Sequence, residues 1–165
     1  MSVGRKGSSK LSRTTRRTVI ALATAVTSAV LAVGAYTIPA FAATSYLFHN
    51  SQTNACLDSN SNSAYTNPCN PNNNFQRYYY ATGNYGYLIR SVATNYCIDS
   101  NGSGNAYTNP CSAGNAYQNW QRVNWSGSTF ELQDIATGRC LETDGTGAVF
   151  TNSCNVGNNA QRWWN

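Results

Sequence analysis

Residues 43–165 predict a closed all-β body with pseudo-threefold symmetry, and three observations carry that prediction. The cysteines fall in pairs, Cys56 with Cys69, Cys97 with Cys111 and Cys140 with Cys154, whose first members stand 41 and 43 residues apart. Apolar residues alternate with polar ones in short runs broken by Asn, Gly, Ser and Pro, the pattern of short strands. No stretch beyond residue 43 keeps the apolar period of a helix. Repeating units of this kind bury their apolar faces jointly, and closing the sheet removes exposed edges.

The elements recur in a fixed order. Each unit opens on alternating apolar residues: Tyr46 and Phe48, then Tyr87 and Ile89, then Phe130 and Leu132. Thr53, Thr94 and Thr137 each stand three positions before a first cysteine. Directly after that cysteine come Leu57-Asp58-Ser59, Ile98-Asp99-Ser100 and Leu141-Glu142-Thr143. Next come Ala64-Tyr65-Thr66-Asn67, Ala106-Tyr107-Thr108-Asn109 and Val149-Phe150-Thr151-Asn152. Seven positions beyond each second cysteine stands a glutamine (Gln76, Gln118, Gln161), and two further on an aromatic (Tyr78, Trp120, Trp163). The Asn-rich run 70–74 reads as a turn, because the other two units keep the same spacing.

Ahead of the repeats, residues 1–42 read as an export signal. Arg5, Lys6, Lys10, Arg13, Arg16 and Arg17 precede an apolar run from Val19 to Val33, and Ala40-Phe41-Ala42 gives a small-residue cleavage site. That run has 15 residues, short of the ~20 that span a bilayer, so an uncleaved anchor is the lesser reading. Residues 15–20 also resemble a twin-arginine signal, which leaves the export route open. The expected product is a secreted domain of residues 43–165 with no second domain and no membrane span. Six of the 11 lysines and arginines lie before residue 18 and all six acids lie after it, so the domain carries a net charge of −1 and no lysine. A basic stripe for nucleic acid is therefore excluded. Neutral polar or apolar partners remain, and nothing in the sequence sets an oligomeric state.

A chain of this size exported with six paired cysteines implies disulfides. The repeat proposes Cys56–Cys69, Cys97–Cys111 and Cys140–Cys154. Without a C-x-x-C pair and with His49 as the one histidine, no metal site or cofactor is expected. The repeated aromatic reads as shared core, and the glutamine amide as a partner for buried backbone groups.

Three copies of C-L-D, a second cysteine and Q-x-W resemble the ricin B-type (R-type) lectin domain, a β-trefoil. The likeness runs from Ser45 to Trp164, with tyrosine for tryptophan in the first copy, Gln76-Arg77-Tyr78. Within that family, Cys56-Leu57-Asp58-Ser59-Asn60 and Tyr65-Thr66-Asn67-Pro68-Cys69-Asn70 look most like the actinohivin-like three-repeat lectins. The resemblance implies sugar contacts by an aspartate, a tyrosine and an asparagine in each repeat. Position by position these are Asp58, Tyr65 and Asn70; Asp99, Tyr107 and Ser112; and Glu142, Phe150 and Asn155. Asn67, Asn109 and Asn152 stand where many ricin-type domains carry an aromatic. That departure argues against a galactose-stacking site and favours the actinohivin-like one; the resemblance implies mannose-type glycans ahead of galactosides or xylan, both of which stay open.

The chemistry agrees with the resemblance. An ionised aspartate can accept two adjacent hydroxyls, tyrosine offers an apolar face with a polar tip, and asparagine donates and accepts at once. This reading requires the two aspartates to be open to ligand beside their tyrosines. It leaves the third repeat doubtful, because Glu142 is longer and Phe150 lacks the hydroxyl. No enzyme is expected: the repeat-equivalent carboxylates should stand too far apart for glycoside hydrolysis, and nothing beside His49 completes a catalytic set. The alternative is a β-trefoil protease inhibitor acting through an exposed loop, which needs no recurring Asp/Tyr pair.

Overall fold

The computed structural model describes residues 44–165, so the export signal expected over 1–42 lies outside the described residues. The described chain forms twelve strands, four per repeat. The first repeat holds β1 (His49–Asn50), β2 (Cys56–Ser59), β3 (Ala64–Asn67) and β4 (Tyr78–Thr82). The second holds β5 (Tyr87–Ser91), β6 (Tyr96–Ser100), β7 (Ala106–Pro110) and β8 (Trp120–Ser126). The third holds β9 (Thr129–Asp134), β10 (Arg139–Thr143), β11 (Val149–Ser153) and β12 (Arg162–Trp164).

The first and last strand of each repeat build a closed six-stranded ring. Around it run β1–β12, β12–β9, β9–β8, β8–β5 and β5–β4, and a bridge between Tyr46 and Tyr78 returns the sheet to its start. The middle strands form the hairpins β2–β3, β6–β7 and β10–β11. The hairpins lean on one another: Thr66 N donates to Gly147 O (2.8 Å) and Thr151 N to Gly104 O (2.7 Å). Where the third such bond would fall, the Thr108 hydroxyl donates to Asn60 O (2.7 Å) instead. Gly104 is positive in φ, and a Cβ there would stand 2.8 Å from the Thr151 carbonyl, so the close approach requires glycine.

The core repeats with the chain. Phe48, Ile89 and Leu132, then Leu57, Ile98 and Leu141, then Tyr78, Trp120 and Trp163 are all at most 1% exposed. Each large side chain contributes roughly 1.5–3 kcal/mol by leaving water. The tryptophan N–H groups are satisfied within the repeat: Trp120 Nε1 donates to Ile98 O (3.0 Å) and Trp163 Nε1 to Leu141 O (2.9 Å). The Tyr78 hydroxyl, in the repeat that departs from Q-x-W, is buried without a hydrogen-bond partner. The three proposed disulfides are present, and each closes a loop of 13 or 14 residues.

The recurring threonine is explained by the turn before each first cysteine. Asn54, Asn95 and Gly138 occupy its left-handed position, with φ of 55°, 61° and 68°. A buried residue at the turn's start, Asn50, Ser91 or Asp134, accepts from the backbone N–H of Thr53, Thr94 or Thr137. The threonine hydroxyl then accepts from the N–H of residue 55, 96 or 139. Among the described residues no helix is long and apolar enough to cross a membrane.

Candidate functional site

The hairpins bring the proposed carboxylates and rings together. Asp58 stands directly across from Tyr65 on β2–β3, Asp99 from Tyr107 on β6–β7, and Glu142 from Phe150 on β10–β11. Residues directly opposite in an antiparallel pair put their side chains on one face of the sheet. Burial, and then the adjacent Asp58 carboxylate, raise the Tyr65 phenol above its ordinary value. For Tyr107 the causes are burial first, then Asp99 and Tyr117. Its hydroxyl donates to Ser100 O (3.0 Å).

The aspartates are not open in the way the sequence suggested. Asp58 and Asp99 are each 2% exposed. Oδ2 of Asp58 accepts from Gln76 Nε2 (3.0 Å), Asn67 Nδ2 (3.1 Å) and Asn73 Nδ2 (3.4 Å). Oδ2 of Asp99 accepts from Gln118 Nε2 (3.0 Å), Asn109 Nδ2 (3.0 Å) and Asn115 Nδ2 (3.4 Å). Each Oδ1 takes the next residue's N–H, from Ser59 (2.7 Å) and Ser100 (2.8 Å). Each carboxylate oxygen has about two lone-pair sites, so the amides fill Oδ2 and Oδ1 keeps one site at most, on a residue that is almost wholly buried. The physical reason is the amide cage: the burial that keeps an anion inside the hairpin requires this many donors.

The glutamine of Q-x-W is the centre of that cage. Gln76, Gln118 and Gln161 are buried, and each Nε2 bridges the repeat's acid to the carbonyl of Pro68, Pro110 or Ser153. Each Oε1 accepts from the backbone N–H of Asn70, Ser112 or Asn155 (2.7–2.8 Å). This is how the third member of each proposed triad is placed. Asn70, Ser112 and Asn155 are exposed beside the hairpin. The amide oxygens of Asn70 and Asn155 turn back to the N–H of Asn72 and Gly157 (3.0 Å each).

The structure adds residues that sequence reasoning missed. Phe75 and Tyr117, immediately before the glutamine, are 45% and 38% exposed. Asn73 and Asn115 cap the short turns that carry these rings and donate to the acids, which ties the rings to the site floor. A Cβ on Gly102, in the β6–β7 turn, would lie 4.0 Å from the Tyr117 hydroxyl, so Tyr117 reaches the turn of its own hairpin. An aromatic at one offset in two repeats was the available signal. Asn67 and Asn109 were noted only for standing where an aromatic was expected; they are donors to the aspartates.

The third repeat is built differently. Glu142 is half-buried and accepts from Gln161 Nε2 (2.8 Å) and Asn158 Nδ2 (3.1 Å), but Asn152 turns its amide oxygen to Ser153 N (2.9 Å) instead. Ala160, 4% exposed, replaces the rim ring. His49, the lone histidine, stacks on Trp164 (3.7 Å between centroids), and its Nδ1 lies 3.3–3.4 Å from the sulfurs of the Cys56–Cys69 disulfide. Those thiols are oxidised and cannot act as thiolate ligands.

Known structures repeat this architecture. The designed threefold-symmetric protein ThreeFoil aligns with a TM-score of 0.63 at 19% identity, over 73% of this chain and 96% of its own. The hemolytic lectin CEL-III aligns at 0.62 and 24% identity, and 73% of this chain matches 29% of that one, so the chain spans under a third of that lectin. SeviL, solved with the asialo-GM1 saccharide, aligns at 0.59 and 10% identity over 73% of this chain and 94% of its own. These likenesses show the fold. No curated protein sequence matches the chain. The profile of the ricin-type beta-trefoil lectin domain matches residues 44–163, and the chain belongs to that family.

Proposed function

We propose that this protein is a secreted carbohydrate-binding lectin whose first two repeats each hold one glycan site. The observation that carries the reading is the repeated pairing of a caged aspartate with two half-exposed rings: Asp58 with Tyr65 and Phe75, Asp99 with Tyr107 and Tyr117. A sugar presents hydroxyls beside small apolar C–H faces. Oδ1 supplies one charged acceptor, and the rings supply apolar contact, with a polar tip on the tyrosines. The cage fixes the acceptor in advance, so little ordering is needed on binding. The third repeat, lacking both the aspartate and the rim ring, is the silent one.

The actinohivin-like kinship and the preference for mannose-type glycans rest on Asn67 and Asn109. They occupy the place of the stacking aromatic and are committed to the aspartates. Export rests on the basic and apolar character of residues 1–42 and on three disulfides, which persist in oxidising compartments. One shallow site of millimolar affinity is worth about −4 kcal/mol. Two sites on one rigid body can gain ~10²–10⁴ in avidity toward a branched glycan. The reading as a binding protein rather than an enzyme is supported by the cage, which commits both aspartates as acceptors to surrounding amides.

A glycan array probed with the oxidised protein tests this. Mannosides should be bound, Tyr65→Ala and Tyr107→Ala should each weaken the signal, and the Tyr65→Ala/Tyr107→Ala double variant should abolish it. Phe150→Ala should leave it intact. Absence of binding to every glycan overturns the reading.

A further inference from the structure

Two depressions on the described surface lie away from the Asp58–Tyr65 and Asp99–Tyr107 pairs. One of about 630 Å³ runs between the first hairpin and the tip of the third, over Thr53, Ala55, Asn67 and Gly145–Gly147. A second of about 400 Å³ lies over Ser51, Ser128, Thr129 and Trp164. Asn54 lines both. Each falls within the size range of ligand clefts.

The pseudo-symmetry explains why a groove opens beside the first hairpin. Ala55 stands at the position held by Tyr96 in the second repeat and Arg139 in the third. In the third repeat the equivalent space is filled: a Cβ on Gly104 would stand 3.1 Å from the Arg139 guanidinium. In the first repeat the residue facing the hairpin tip is a methyl group, and the tip is Gly145-Thr146-Gly147. Gln52 reaches that tip, its Nε2 3.5 Å from the Cβ position of Gly145. The groove wall thus carries hydroxyls, primary amides and a methyl group, with no basic side chain. At the far end Trp164 is 36% exposed, and its indole is held parallel to His49 (5° between planes). An aromatic plane held in place at the end of a neutral, amide-lined trough suits a ligand of alternating hydroxyls and apolar ring faces.

We propose that the trough from Gly147 past Asn54 to Trp164 is a separate subsite for the linear stretch of an oligosaccharide, present beside the first hairpin because Ala55 leaves it open. It rests on the reading that the ligands are glycans, but not on the hairpin pockets. Trp164 stacks on one sugar residue, and the Asn54 amide takes hydroxyls along the chain.

The test is a titration of the oxidised protein with mannose, xylose and galactose oligomers, from monosaccharide to hexasaccharide. It compares wild type with Ala55→Tyr, which installs the second repeat's residue, and with Trp164→Ala. Nitrogen-15 spectra report the Trp164 indole and the amides of Ala55 and Gly147. Affinity should rise about tenfold or more with chain length in wild type, the three reporters should shift with long oligomers only, and both variants should lose the rise while binding monosaccharide as before. A rise equal in all three proteins, or monosaccharide binding without any rise, overturns the subsite and leaves the hairpin sites standing. Binding of no saccharide by any form removes both.

Discussion

Replacing Gln118 by leucine keeps its volume and removes every polar contact it makes. The glutamine is 1% exposed and makes three hydrogen bonds: to Asp99 Oδ2 (3.0 Å), to Pro110 O (3.1 Å) and from Ser112 N (2.7 Å). A bond to a charged group is worth about 1.5–3 kcal/mol and a neutral one about 0.5–1.5, so the loss is about 3–5 kcal/mol. That is a large part of the ~5–15 kcal/mol that holds a domain together. In thermal unfolding it corresponds to a fall in Tm of roughly 10–20 °C. The same substitution at Gln161 breaks the equivalent bonds in the third repeat and should cost as much. The two should differ in binding: Gln118→Leu frees Asp99 and weakens glycan binding, while Gln161→Leu does not. Gln121→Leu, at an exposed position nearby, is the control and should stay within about 0.5 kcal/mol of wild type. A cost below about 1 kcal/mol for Gln118→Leu would refute the reasoning, since the cage would then be dispensable.

Other outcomes follow from single groups. Asp134 is buried, and burial raises its carboxyl against the opposing bonds from Ser100 and Thr137. The folded state therefore holds its proton more tightly than the unfolded chain. Stability should fall as pH rises from the ordinary aspartate range through the raised value, then level off. Asp134→Asn, which places the first repeat's Asn50 at this position, should flatten that profile and raise Tm at pH 7; an unchanged profile counts against the assignment. Tyr78→Phe removes a buried hydroxyl without a partner and should leave stability equal or higher by up to about 1 kcal/mol, measured by denaturant unfolding. Cys97→Ala with Cys111→Ala opens one loop of 14 residues and should cost about 3 kcal/mol in the same assay.

The fold was legible because every unit states it again. Cys, Thr, Gln and the core aromatic recur at fixed offsets, so strand order, disulfide pairing and core membership could be read three times over. The structural role given to the glutamine also holds, since Gln76, Gln118 and Gln161 serve buried backbone groups. The openness of Asp58 and Asp99 was not legible. Whether a carboxylate faces solvent depends on which amides surround it, and Asn67 and Asn73 come from separate segments. Phe75 and Tyr117 were hidden because Ala160 breaks their repeat. The groove at Ala55 was invisible for another reason: a small residue leaves space only when something stands opposite, and Gly145–Gly147 comes from a different repeat.

Crystals grown with a short mannose oligosaccharide test the central claim most directly. The account predicts a sugar residue at each of the first two hairpins, one against Tyr65 and Phe75 and one against Tyr107 and Tyr117. Each should place a hydroxyl at Oδ1 of Asp58 or Asp99, and the third hairpin should stay empty. Sugar bound at the third hairpin but at neither of the first two, or seated with no contact to either aspartate, would contradict it.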